Sequence, residues 1–169
     1  MTLSMYQAST PVFIRGLKNL AEILRKAEAD ADARKIEHSV FIQSRLAPDM
    51  FPLARQVQIA TDGVKGCAAR LAGIEIPSYE DTESTFAELH ARIAKTIAFL
   101  ESVPASQIDG TEEKTITFKT RNTERHFLGL PYLTTFVLPN FYFHSVTVYL
   151  ILRHNGVQLG KMDFLGNSE

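Results

Sequence analysis

The chain has 169 residues, 45% of them hydrophobic and 22% charged, with a formal net charge of −1. That size supports one domain with a sizeable core, spanning residues 1–169, and excludes two comfortable ones. The near balance of 18 Lys plus Arg against 19 Asp plus Glu provides no basic stripe for a nucleic acid, and the lone Cys67 excludes a disulfide framework or a cysteine-rich metal centre.

The N-terminal stretch MTLSMYQASTPVFIRGL lacks a basic segment followed by a continuous apolar run, so it does not read as a signal peptide. No apolar stretch reads as a membrane span. TTFVLPNFYFHSVTVYLIL comes closest, and Pro139, Asn140 and His144 interrupt it. The expectation is a cytoplasmic protein with neither nucleic-acid nor membrane partners.

The first helix is predicted from Ser4 or from just after Thr10 to about Ala29. Phe13, Leu17, Leu20 and Leu24 recur at the spacing of one buried face. Pro11 fits an early turn, or a kink if the helix starts at Ser4. The ADADARK stretch offers no packing face and reads as a helix end or short connection. HSVFIQSRLAPDM reads as a short helix ended by Pro48.

A long second helix follows, roughly Phe51 to Leu71, with Leu53, Val57, Ala60, Val64, Cys67 and Leu71 inward and Gly73 as terminator. Cys67 reads as a small core residue. The next helix starts after PSYEDTES with Thr82 or Asp81 as its cap. Its stripe is Phe86, Leu89, Ile93, Ile97 and Leu100.

Between Glu113 and Gly129 the period changes to alternation. KTITFKT and TERHFLG read as a two-stranded hairpin turned at Arg121 and Asn122, lying against the helices. The last helix begins after Gly129, with Pro131 in its first turn, and ends in RHNG, where Asn155 or Gly156 can take a left-handed conformation. The result is an all-α four-helix bundle with a small β-hairpin inserted before its last helix.

The polar groups on these apolar helices are the candidates for function. Asn140 and His144 stand one turn apart on the last helix and present to one side. Gln56 lies beside the inner stripe of the second helix, so the three can form a cluster across two helices. Three readings stay open: a neutral histidine satisfied inside the bundle, a ligand pocket with amide and imidazole anchors, or metal ligation. Asp49 in APDMFP can cap the second helix or reach a cleft. Asp62 reads as a surface carboxylate or an arginine partner. There is no serine elbow, phosphate-cradling glycine loop or helical Glu-x-x-His.

HSVTVYLILRHNG resembles the last-helix segment of the DinB/YfiT-like superfamily, with His144, Leu152, Arg153 and Gly156 in order. Ser145, Val146 and Thr147 replace the usual triplet after the histidine. RLAPDMFPLARQVQIATD, PNFYFHSVTVYLILRHNGV and GKMDFLG together are similar to an uncharacterised branch of that superfamily, across essentially the whole chain. The resemblance implies a DinB-like four-helix bundle, often homodimeric, with a cavity at one end. In many members three histidines hold a divalent metal there.

Carried over, those histidines fall on Gln56, Asn140 and His144, so only His144 keeps its type. Two amides and one imidazole are a poor trap for zinc or nickel, and no metal cofactor is expected. The first functional reading is a small-molecule-binding protein, or an enzyme of unassigned reaction, using a cavity near Gln56, Asn140 and His144, with Asp49 a further pocket candidate. The alternatives are a transferase or hydrolase dependent on a divalent metal at His144, and a non-catalytic homodimeric module docking through Phe127, Leu128, Leu130 and Tyr132.

Overall fold

The structure, a computed structural model, describes residues 3–120 and 123–166. Four long helices form the bundle: α1 (Met5–Arg34), α3 (Leu53–Ala72), α4 (Phe86–Ser102) and α6, the helical run Gly129–His154. Short helices α2 (His38–Gln43), α5 (Ala105–Ile108) and α7 (Lys161–Leu165) join or flank them. Strands β1 (Thr115–Thr120) and β2 (Thr123–Leu128) pair antiparallel, Thr115 opposite Leu128 and Thr120 opposite Thr123. The expected turn at Arg121 and Asn122 lies outside the described residues. Neighbouring helices run α1, α4, α3, α6 around the bundle, and α6 closes back on α1.

Helix α1 starts at Ser4, the earlier of its two expected starts. Ser4 and Gln7 form a reciprocal capping box, satisfying two otherwise orphaned backbone donors. Pro11 sits inside the helix on its exposed side. The far end corrects the expectation. ADADARK continues the helix to Arg34 because Ala27 and Ala31 extend the buried face with side chains too small to register as a stripe. Lys35 ends it in the left-handed region, at φ 56°, with its N–H donating to the Ala31 and Asp32 carbonyls.

All six inward positions expected on α3 are fully buried, and each large aliphatic among them contributes about 1.5–3 kcal/mol of transfer free energy. Burial pushes the Cys67 thiol well above its ordinary range, so it stays protonated and unreactive. The cap of α4 is Thr85, in a capping box with Glu88, rather than Thr82 or Asp81. Those upstream residues belong to a strap over α3 and α4, described below.

Helix α6 changes pitch along its length. It is α-helical over Gly129–Pro131, π-helical over Tyr132–Val137 and α-helical again over Leu138–His154. The Leu138 N–H reaches the Leu133 carbonyl, five residues back. Pro139 follows directly, where the wider π turn relieves the clash between a proline ring and the preceding carbonyls. Pro139 and Asn140 therefore do not interrupt the helix. Within this run of 26 residues an 18-residue window reaches a mean hydropathy of 1.3, so by length and composition alone the helix could cross a membrane, a test that the core helix of a globular protein also passes. Here one side of it is core, packed chiefly against α3.

The hairpin lies against the π segment through Phe118, Phe127, Tyr132 and Phe136, whose ring centroids are 5.4–6.1 Å apart. The Tyr132 hydroxyl accepts from Arg70 at 3.0 Å, and the Arg70 guanidinium lies 4.7 Å from the Phe118 centroid. Tyr132 and Phe127 are thus engaged internally, while Leu128 and Leu130 stay exposed. At Gly129 any Cβ would collide with the Thr111 carbonyl, and the neighbouring Leu130 N–H donates to the Glu112 carbonyl at 2.9 Å. This close approach requires glycine and anchors the hairpin exit. Gly156, at φ 92°, takes the left-handed position after α6.

Candidate functional site

The α3–α6 interface brings two of the sequence candidates together. His144 Nδ1 lies 2.7 Å from Gln56 Oε1, and Gln56 Nε2 donates to the Phe51 carbonyl at 3.0 Å. The second bond orients the amide with its oxygen toward the imidazole, which assigns the proton to Nδ1. His144 Nε2 then carries the lone pair, and it has no protein partner among the described residues. Gln56 is 1% exposed and His144 9%, so this relay is largely enclosed by protein.

Burial, and secondarily the positive charge of Arg55, pushes the His144 pKa below its ordinary value. The ring is therefore neutral near pH 7: Nδ1–H locked, Nε2 an acceptor. Two phenyl groups adjoin the relay. Phe143 meets the imidazole edge-on at 5.2 Å and is 54% exposed; Phe51, whose carbonyl anchors Gln56, is also exposed.

Asn140 is half-buried on the same wall, its Nδ2 facing Gly63 of α3, but it bonds to neither Gln56 nor His144. Asp49 is exposed and does not cap α3, whose N-cap is Pro52 without a side-chain bond. The expected cluster thus contracts to a pair, with Asn140 beside it and Asp49 outside it.

The residues present do not fit a divalent metal. The Gln56 oxygen is committed to His144, Nδ1 is committed to Gln56, and Asn140 adds only a neutral amide. Among the described residues no three His, Cys, Asp or Glu side chains gather at ligand spacing. Zinc or nickel would find one free imidazole nitrogen and no anionic donor.

One polar centre escaped the sequence reading. Arg92 of α4, its side chain 1% exposed, donates from Nε to Thr61 at 2.8 Å and from Nη1 to the Glu80 carbonyl and the Glu83 carboxylate. Its Nη2 forms ion pairs with Asp62 at 2.9 Å and Asp81 at 3.1 Å. Gln58 also donates to Glu83, Lys65 pairs with Asp62, and Arg55 pairs with Asp81. Burial opposes the Arg92 charge, but Glu83, Asp62 and Asp81 outweigh it and hold the pKa above its ordinary value. Tyr79 adds a cation–π cage, its ring centroid 3.6 Å from Lys65 Nζ and 4.0 Å from Lys95 Nζ. The strap of residues 74–85 is thereby bound to both helices, and through Arg55 its charges reach the surroundings of His144. The expected Asp62–arginine pair is part of this network. The available signal was an arginine between Leu89 and Ile93 on a buried stripe, facing the acidic stretch YEDTE.

Comparison with known proteins agrees with the fold. The family described as Domain of unknown function (DUF1993) matches residues 5–165. A crystal structure described as a DinB family member protein from Shewanella denitrificans is 40% identical, covers 96% of this chain and 92% of its own, and superposes with a TM-score of 0.88. No curated protein matches the chain.

Proposed function

The chain belongs to the DUF1993 family and has the DinB-like bundle fold, and on that premise we propose that it is a small-molecule-binding protein anchored by His144. The observation that carries this reading is the relay from the Phe51 carbonyl through Gln56 to Nδ1, which holds the tautomer and leaves Nε2 as a neutral acceptor. The ligand class is an aromatic or apolar molecule carrying one hydrogen-bond donor, such as a phenol or a primary amide. Its donor meets Nε2 and its body packs on Phe143. In a reactive ligand the same nitrogen would serve as a general base.

The test is a fragment screen of phenols and amides read by ¹⁵N chemical shifts of the His144 ring. Binders should move Nε2 more than Nδ1, and a Gln56→Leu variant should lose them. A screen in which no fragment moves Nε2 in the native protein refutes the reading.

Cytoplasmic location and absence of nucleic-acid and membrane partners complete the proposal; the near-neutral charge speaks against a nucleic-acid partner. A homodimer is a compatible second reading, favoured by exposed Leu128, Leu130, Phe143 and Leu150. Concentration-dependent light scattering tests it, and a monomer throughout the working range would refute it.

A further inference from the structure

A cleft of about 470 Å³ lies between α1, α6 and the C-terminal helix α7, on a different flank of α6 from the Gln56–His144 pair. Its floor is Leu20, Ile23 and Phe141, all buried; its roof is Met162, Phe164 and Leu165 of α7. The volume falls in the range of small-ligand pockets.

Two independent features mark it as more than a packing gap. First, α7 buries none of its five residues fully; its one apolar anchor is the half-buried Phe164, edge-on to Tyr149 at 6.3 Å. Polar contacts from α1 supply the rest of its hold: Lys26 to Asp163 at 2.5 Å, Asn19 Nδ2 to the Phe164 carbonyl at 3.1 Å, and Arg15 to the Leu165 carbonyl at 3.3 Å. The apolar side chains of α7 are therefore presented to the cleft without filling it.

Second, Ser145 in the cleft wall is 4% exposed and its Oγ has no hydrogen-bond partner. Buried hydroxyls elsewhere on these helices, at Ser9, Thr61, Thr96 and Thr147, bond to the carbonyl four residues back. Thr10 shares the exception, but only Ser145 lies on this cleft. One staggered rotation about χ1 re-aims a serine hydroxyl without disturbing the helix.

From these observations we infer that the cleft is a second ligand site, taking one compact apolar molecule of the aliphatic-alcohol class whose hydroxyl pairs with Ser145. An alcohol matches a wall whose unpaired polar atom is itself a hydroxyl, able to donate and to accept. The flexible Met162 side chain suits a roof that adapts to chain shape.

The test uses the full chain and the fluorescent apolar probe phenylnaphthylamine, displaced by straight-chain primary alcohols from hexanol to dodecanol. One saturable site is expected, with alcohol potency rising along the series and then falling once the chain outgrows the cleft. Val12→Phe, on a half-buried wall position, should weaken the probe more than tenfold. Ser145→Ala should weaken the alcohols about fivefold, the yield of one neutral hydrogen bond. Probe binding that does not saturate, an alcohol series without a length cut-off, or a folded Val12→Phe variant that binds normally would each overturn the inference. If Val12→Phe does not fold, amide shifts of the native protein with octanol decide. Perturbations centred on Ile23, Phe141 and Ser145 support the site, and their absence refutes it. The Nε2 screen above reads a different atom, so either site can fail alone.

Discussion

Replacing Gln56 by Leu keeps nearly the same volume while deleting both hydrogen bonds of the relay. The Phe51 carbonyl is only part-buried and rehydrates at small cost, but the His144 Nδ1–H, now 2.7 Å from its acceptor in a buried bond, loses its partner. A buried donor left unmatched costs about 1–3 kcal/mol, and the carbonyl adds little. We therefore expect a loss of about 2 kcal/mol, a sizeable part of the roughly 5–15 kcal/mol that stabilises such a domain. For a chain of this length that lowers Tm by roughly 4–8 °C. Urea denaturation followed by circular dichroism measures it, and the specific readout is the cycle with His144→Leu. With the imidazole already gone, Gln56→Leu should cost at least about 1 kcal/mol less, because the orphaned donor no longer exists. A coupling below about 0.5 kcal/mol, within ordinary additivity, would refute the relay. So would ¹⁵N spectra of the native protein with the proton on Nε2.

Three further predictions test other parts of the structure. Because the folded pKa of His144 is lowered, the unfolded chain takes up its proton first. Stability is then whole above the unfolded value of about 6.5 and is lost as pH falls from there toward the lower folded value; stability measured against pH should fall less steeply over that interval in His144→Leu. Arg92→Met should cost about 3 kcal/mol, the low end for breaking a buried ion pair, since Asp62 and Asp81 retain some water access; denaturation will measure it, and hydrogen exchange should rise across residues 74–85. Gly16→Ala should destabilise, because its methyl would come 2.6 Å from the buried Phe141 ring and force it to shift, whereas at Gly63 the nearest group, Asn140 Nδ2, is 3.5 Å away. Gly63→Ala should therefore be neutral or gain up to about 1 kcal/mol of helix propensity, a difference visible as opposite Tm shifts.

The sequence was most informative where one residue type repeated at one period. The α3 stripe reads directly because large aliphatics recur every three or four positions and all face inward. Ala27 and Ala31 obey the same period, but alanine carries too little hydrophobicity to distinguish a buried position from an exposed one. That is why the end of α1 was read short. Thr82 and Asp81 were credible caps by type, yet Asp81 is occupied by arginines, a contact set by the third dimension. Gln56 and His144 were identified because both sit beside apolar stripes. Their direct bond, and the separation of Asn140 from it, depend on the relative rotation of α3 and α6, which no local pattern encodes. The π segment leaves no signature in YLTTFV.

That π segment has a consequence for how the two ends of α6 can vary. It accommodates one extra residue within the stretch that carries Tyr132 and Phe136 to the hairpin, just ahead of the bundle-facing positions of Leu138–His154. In an uninterrupted α-helix, inserting or deleting one residue there would turn everything upstream by about 100° relative to His144. The hairpin would lose its aromatic seat while His144 still faced Gln56. The π turn thus works as a phase adjuster: insertions and deletions on the hairpin side can be absorbed before they reach the imidazole.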